Sequence, residues 1–341
     1  MKQRLGMDLQ EQRAKPVRHG RSVASDRDQL IRRTRETLAK CGFYVSNPHN
    51  LRSISFDLVA RRDRQLLIVK ALCNIDSLSS EDAEELKTLG RLLNASPAVI
   101  GLHSSSAELE DGILYTRFGV PIVSEGTFAE FMLEGVPPLV YAAPGGLYVR
   151  LDGEMLKQIR QERAMSLGTL AEAAGVSRKA IQMYESGMGA MMDIASRIEE
   201  FLDAPLLVPL DPFTYIAEVA ENLKVLEDFE GHNKDIFEML REIGYSVIPT
   251  RKAPFDALAS EEELLLLTGI GEDPRMTEKK AKVVGNLSRV TERKSVIIIH
   301  KRTSIEEIDG TPLVTKDELR RVDHSDDLME LILKREKRPM Q

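Results

Sequence analysis

The chain is poor in cysteine, with only Cys41 and Cys73 among its 341 residues. Two thiols build neither a disulfide framework nor a structural zinc site, so stapled secreted scaffolds and zinc fingers are excluded. That usage fits a reducing cytoplasm. Long hydrophobic runs are also missing. No stretch approaches the roughly 20 apolar residues that span a bilayer. The N-terminus has no apolar signal-peptide core, and no membrane partner is expected. Positive charge is in deficit as well: 47 Lys and Arg face 54 Asp and Glu, a net charge of −7. The chain as a whole is therefore no generic polyanion binder. Any contact with nucleic acid has to come from a local basic patch.

What is present is ample core. Hydrophobic residues make up 42% and charged residues 30%, a globular balance with length for two or three domains. Residues 1–27 are polar, rich in Arg and Lys and without a period, and read as a flexible basic arm. From Asp28 a helical pattern carrying Leu30, Ile31 and Leu38 runs to Gly42. Apolar runs at 43–45, 54–60 and 66–72 follow, bounded by turn residues as strands are. Residues 79–94 read as a helix, 98–102 as a buried strand, 113–116 and 121–123 as short strands, and 127–133 as a closing helix. Pro137, Pro138, Pro144, Gly145 and Gly146 then break the pattern, so 137–151 reads as a linker. A second break, with three prolines, falls between Asp203 and Pro212, and 205–232 reads as a linker plus a helix.

Residues 233–333 repeat residues 28–136, leaving 334–341 as a tail. Phe56-Asp57-Leu58-Val59-Ala60 corresponds to Phe255-Asp256-Ala257-Leu258-Ala259. Upstream, Leu38 to Phe43 corresponds to Leu240 to Tyr245; downstream, the strand ending at His103 corresponds to the one ending at His300. Gly119-Val120-Pro121 corresponds to Gly310-Thr311-Pro312. The expected element order is helix, three strands, helix, strand, short strand, helix, used twice. Two related α/β domains then flank a small, all-helical central one.

The central segment, 152–204, carries the strongest pattern. Leu156, Ile159 and Arg163 give a first helix with one apolar face. Ser166 caps a second, whose Leu170, Ala171 and Ala174 point inward. Gly175 suits the left-handed backbone of a tight turn, and Ser177 caps a third helix. Ile181 and Tyr184 bury the third helix's inner face, leaving Arg178, Lys179 and Gln182 outward; Ile194, Ile198 and Leu202 supply a fourth helix. A helix presented this way fits a major groove, where Arg or Lys pairs with guanine or phosphate and Gln with adenine. The candidate DNA-binding residues are Ser177, Arg178, Lys179 and Gln182, with Ser166 and Thr169 at the start of the second helix. An all-helical protein-interaction module is the alternative, favoured by the segment's excess of acidic residues.

Leu170-Ala171, Gly175-Val176-Ser177 and Tyr184-Glu185-Ser186-Gly187 resemble the Cro-type helix-turn-helix regulators. One departure stands at Leu167, where many members carry a phosphate-contacting Gln. With the lead-in Tyr141 to Val149, the whole chain is similar to a group of archaeal helix-turn-helix transcriptional regulators. The resemblance implies a cytoplasmic transcription factor whose partner is double-stranded DNA. Because the chain holds one reader, a homodimer on a palindromic site is expected, paired through the α/β domains or else through the fourth helix and Leu206-Leu207-Val208.

The flanking repeats resemble the restriction-endonuclease-like fold. In its nucleases an Asp begins one strand, and the next carries an acid, a gap and a Lys, together holding Mg²⁺. Asp57 and Lys70 match in the first copy, but Ile68 takes the acid's place. In the second copy Asp256 matches, while Leu267 and Gly269 stand at the other two positions. The expectation is a pair of degenerate, non-catalytic domains with no cofactor and no metal. His103 and His300 are expected to be packed strand-end residues, since one His per domain is too few ligands. A Mg²⁺-dependent nuclease targeted by the helix-turn-helix and a protein-interaction scaffold are the alternatives.

Overall fold

The computed structural model describes residues 23–48, 54–214, 233–262, 264–300 and 303–336. The first α/β unit opens with α1 (Val23–Lys40), β1 (Tyr44–Val45), β2 (Leu58–Arg62) and β3 (Gln65–Asn74). A 3-10 turn at Ile75–Ser77 leads to α2 (Ser80–Leu93), β4 (Ser96–His103), β5 (Ile113–Arg117), β6 (Val120–Ser124) and α3 (Glu125–Ala129), which continues as a π-helical turn at Glu130–Glu134. Residues 66–72 of β3 are all buried, as a central strand covered by helices on both faces must be. Ser79 starts α2 by accepting from the Asp82 amide, and Asn94 ends it in the left-handed region. The first helix begins at Val23, so the expected arm overlaps α1 by five residues; the rest of the arm, 1–22, lies outside the described residues.

Residues 137–151 are not a linker. They form β7 (Val140–Ala143) and β8 (Gly146–Leu151), a hairpin closed by Ala143↔Gly146. Pro144-Gly145 occupies its tip with Gly145 at φ +101°, the pairing that a type II turn prefers. Proline and glycine here mark the hairpin's turn and its entry rather than an unstructured stretch. β7 joins β5 in parallel, so the hairpin extends the first unit's sheet.

From β8 the chain enters the central unit: α4 (Gly153–Glu162), α5 (Leu167–Ala174), α6 (Arg178–Glu185), β9 (Ala190–Met191), α7 (Met192–Leu202) and β10 (Leu207–Val208). β9 and β10 both pair with β8, so the expected all-helical unit has a small sheet at its base. After β10 the chain returns to the first unit, where Leu210 and Phe213 are buried and Phe213 packs edge-on against Phe128. The helix expected within 205–232 would fall in 215–232, outside the described residues.

The second α/β unit comprises α8 (Lys234–Glu242), β11 (Ser246–Pro249), β12 (Ala257–Glu261), β13 (Leu264–Gly271), α9 (Pro274–Thr291), β14 (Lys294–Ile299), β15 (Glu307–Ile308), β16 (Thr311–Thr315), α10 (Lys316–Leu319) and α11 (Ser325–Arg335). Its strand order, β11-β12-β13-β14-β16-β15, reproduces β1-β2-β3-β4-β6-β5 of the first. The first copy has the two short strands read at 113–116 and 121–123, and the second also has two after its fourth, one more than the repeated element order. β15 is only two residues long, which no apolar run announces.

The two copies pack on each other. α2 and α9 lie between the sheets, and one apolar core contains Leu86 and Leu89 of α2, Ala281, Val284 and Leu287 of α9, Ile68 of β3 and Leu267 of β13. Separate cores lie on the outer faces, under α1 and α3 in the first copy and under α8 and α11 in the second. Polar contacts also bridge the copies. Ser55 donates its amide and hydroxyl to the Lys252 carbonyl at 2.8 and 3.0 Å. Glu85 accepts the amides of Arg251 and Lys252 at 3.2 and 3.3 Å. Arg61 reaches the Val290 carbonyl and Glu292 at the end of α9. No helix among the described residues is long and apolar enough to cross a membrane.

Candidate nucleic-acid interface

The central unit is held by its own core of Leu156, Leu170, Ala171, Ala174, Ile181, Tyr184, Ala195, Ile198 and Leu202. Three caps set the helices. Asp152 accepts from the Met155 amide at 2.9 Å, Ser166 from Thr169 at 3.1 Å and Ser177 from Ala180 at 3.1 Å. Gly175 closes α5 at φ +70°, a conformation that is strained for a side chain with a Cβ. Of the inward residues expected from the helical period, Leu156, Leu170, Ala171, Ala174, Ile181, Tyr184, Ile198 and Leu202 are buried and Ile159 and Ile194 half-buried, while Arg163 is exposed just past the end of α4.

α6 therefore shows its other side to solvent. Arg178, Lys179, Gln182, Met183 and Ser186 are exposed. At 100° per residue, Gln182, Ser186 and Lys179 form the middle of that face, with Arg178 and Met183 on its flanks. Arg178 leans back over the first turn of α5. A Cβ built on Gly168 would lie 3.0 Å from its Nε and 3.1 Å from its Nη2. The guanidinium thus lies over the first turn of α5, which Ser166 caps and where Thr169 is exposed. Gly168 directly follows Leu167, the position where the family resemblance expects a Gln.

One member of the unit escaped sequence reasoning. Arg160 of α4 grips Glu185 at the end of α6 through Nε–Oε1 at 2.5 Å and Nη2–Oε2 at 3.0 Å. Both side chains are largely buried. This hydrogen-bonded carboxylate raises the guanidinium's pKa further above its ordinary value. The pair fixes α6 against α4 and takes Arg160 out of the set of cations free for DNA. Its signal in the sequence was Glu185, read there only as part of a family mark.

The nuclease-like positions have a different fate. Asp57 accepts the Ala71 amide at 2.7 Å and pairs with Arg27 of α1. Lys70 donates to the Ile54 carbonyl at 3.1 Å and lies 3.8 Å from Asp82, and burial lowers its pKa. Ile68 is fully buried in the core between the copies. In the second copy Asp256 accepts the Ile270 amide at 2.6 Å and pairs with Lys280 at 2.7 Å, while Leu267 is fully buried. Each aspartate is thus tied to the neighbouring strand and met by a cation of the chain itself. Ile68 and Leu267 thus place buried apolar side chains where the second carboxylate of the pattern would stand, so these residues do not fit the Mg²⁺ that the fold family implies. His103 is half-buried at the end of β4 with Nδ1 2.8 Å from the Ser104 carbonyl. His300 is exposed, contrary to the packed position expected for it, because its strand ends at Ile299.

Residues 27–138 match the PD-(D/E)XK superfamily domain, and residues 156–208 match the helix-turn-helix family. Relatives span nearly the whole chain, each bearing the name "Putative HTH-type transcriptional regulatory protein". The one from Methanocella arvoryzae is 39% identical over 91% of this chain and 97% of its own. That from Natronomonas pharaonis is 39% identical over 91% and 98%, and that from Pyrococcus horikoshii 39% over 90% and 98%. No solved structure matches. The chain belongs to this family of archaeal helix-turn-helix transcriptional regulators.

Proposed function

We propose that the protein is a cytoplasmic, sequence-specific regulator that reads double-stranded DNA through α6 and whose α/β copies are non-catalytic scaffolds. The carrying observation is the two-sided character of α6. Ile181 and Tyr184 are buried, Arg160 locks its far end, and Arg178, Lys179 and Gln182 stand exposed beside two capped helix N-termini. Selection of bound duplexes from random DNA tests it. A shared sequence core is the expected result, and no enrichment would refute sequence reading.

The PD-(D/E)XK match keeps a nuclease reading in view. The buried Ile68 and Leu267 and the internal pairing of Asp57 and Asp256 argue against it. Pure protein is expected to leave DNA and RNA intact with Mg²⁺ or Mn²⁺. Cleavage that disappears in Asp57→Ala would overturn the non-catalytic reading.

A homodimer on a roughly palindromic site completes the proposal. The α2 and α9 faces of the α/β copies are used up inside one chain. Pairing then falls to the remaining surfaces, including α7, where Phe201 is exposed.

A further inference from the structure

The N-terminal part of the chain is rich in positive charge. Residues 1–72 hold 16 Lys and Arg against seven Asp and Glu, in a chain whose net charge is −7. The helix-turn-helix segment does not share in this, since 152–204 holds six Lys and Arg against nine Asp and Glu. A reader so acidic attracts phosphates weakly by itself.

In the first α/β unit part of the charge is neutralised internally. Arg27 pairs with Asp57, Arg33 with Glu125, Arg61 with Glu292, and Lys70 lies near Asp82. Lys40 at the end of α1 and Arg62 and Arg64 in the β2–β3 turn are different. All three are exposed, and no carboxylate pairs with them among the described residues. Arg62 ties the turn to the helix end, donating to the Cys41 carbonyl at 3.0 Å with its guanidinium 4.6 Å from the centre of the Phe43 ring. Arg35 is exposed one to two helical turns back along α1, and the exposed acids nearby are Glu36 and Asp63.

The second copy shows that the fold does not need this charge. The same hairpin closes with Glu261↔Leu264 where the first copy has Arg62↔Gln65, and Asp63 and Glu262 share the left-handed tip at φ 52° and 49°. Arg62-Asp63-Arg64 thus aligns with Glu261-Glu262-Glu263, and Lys40 with Glu242. The same hairpin is basic in the first copy and acidic in the second. This turn also lies at the opposite end of β2 from Asp57, so it is separate from the nuclease-like positions.

We propose that Lys40, Arg62 and Arg64, with Arg35 beside them, form a second nucleic-acid surface that grips the phosphate backbone of the duplex read by α6. The inference rests on the DNA-reading role of α6. Six strand-to-strand steps separate β2 from β8 at the base of the reader. At about 4.8 Å each they span roughly 29 Å, close to one turn of B-DNA. This surface supplies affinity and lengthens the footprint without choosing the sequence.

The test measures affinity against salt for the full chain on a selected site flanked by at least one extra helical turn on each side. Two variants are compared with the native chain: Lys40→Ser/Arg62→Ser/Arg64→Ser, and Arg35→Ser/Arg64→Ser, which spares the Arg62–Phe43 contact. The expected result is weaker binding to every sequence, an unchanged ranking of sequences, and a log–log salt slope shallower by about 0.9 for each phosphate no longer neutralised. Folded variants that keep the native slope would overturn the second surface while leaving the α6 reading intact. A native chain with no salt-dependent binding would overturn both.

Discussion

Arg178 and Gln182 sit on one exposed face of α6 but have different surroundings. Gln182 is near the middle of the face and Arg178 is drawn over Gly168 of α5. Gln182→Ala is therefore expected to relax the preferred sequence and cost about 1–3 kcal/mol of discrimination. Arg178→Ala is expected to weaken all sites more evenly, as removal of a phosphate-binding cation does. Binding assays over a panel of single-base variants separate the two patterns; Lys179→Ala belongs in the same series. Arg160 is a contrasting case. Arg160→Ala strands the buried Glu185 carboxylate and is expected to cost about 3 kcal/mol of stability. Denaturant unfolding reads that loss, and Arg160→Ala/Glu185→Ala together should recover part of it. From the sequence the outward cations were legible, because Ile181 and Tyr184 define the inward side. The grip of Arg160 on Glu185 was not, because the period of one helix says nothing about which residue of another helix meets it.

At the scale of elements, close approach and capping decide the outcome. α4 starts against the end of α6, where a Cβ on Gly153 would lie 2.6 Å from the Tyr184 carbonyl oxygen. Gly153→Ala must push the two helices apart, and a loss of about 1–3 kcal/mol is expected from thermal unfolding. In the second copy α10 opens with a reciprocal cap. Thr315 accepts from the Glu318 amide, and the Glu318 carboxylate accepts the Thr315 amide at 2.9 Å. Arg335 of α11 binds the same carboxylate, and chiefly through that bond holds its pKa down to about 2, well below the ordinary carboxylate value. A depressed folded-state pKa stabilises the fold above the unfolded value, near 4.5, and that stabilisation is lost as pH falls toward 2. Glu318→Gln should therefore lie below the native chain in stability at neutral pH and converge with it in acid. Curves that stay parallel from pH 7 to 2.5 would contradict this coupling. Caps of this kind follow local spacing and were partly readable. The β7–β8 hairpin was hidden because its prolines and glycines are the residues that also mark linkers.

The whole molecule is built around a pairing of the two copies inside one chain. Their shared core means that each α/β unit, when separated, exposes the apolar face carrying α2 or α9. One cooperative thermal transition is expected for both. Leu86→Ala, in α2 at that core, should lower it by about 2–5 kcal/mol. Two resolved transitions, only one of them moved by Leu86→Ala, would show that the copies unfold independently. The internal pairing also bears on assembly. A dimer is expected in light scattering, with footprinting protecting two half-sites, even though the α2 and α9 faces are already covered.

The sequence by itself determined the duplicated α/β pattern, the helix-turn-helix with its inward and outward faces, and the absence of a metal-binding acid at Ile68 and Leu267. These are properties of local order and period, and each is written within a few dozen residues. Only the tertiary structure decided that the two copies cover each other, that Arg27 and Lys280 answer Asp57 and Asp256, and that the hairpin at 140–151 joins the reader to the first sheet. Those contacts join residues far apart in the chain. They depend on which apolar face meets which and on where a long cationic side chain finds a carboxylate once water is excluded, and no local spacing encodes that.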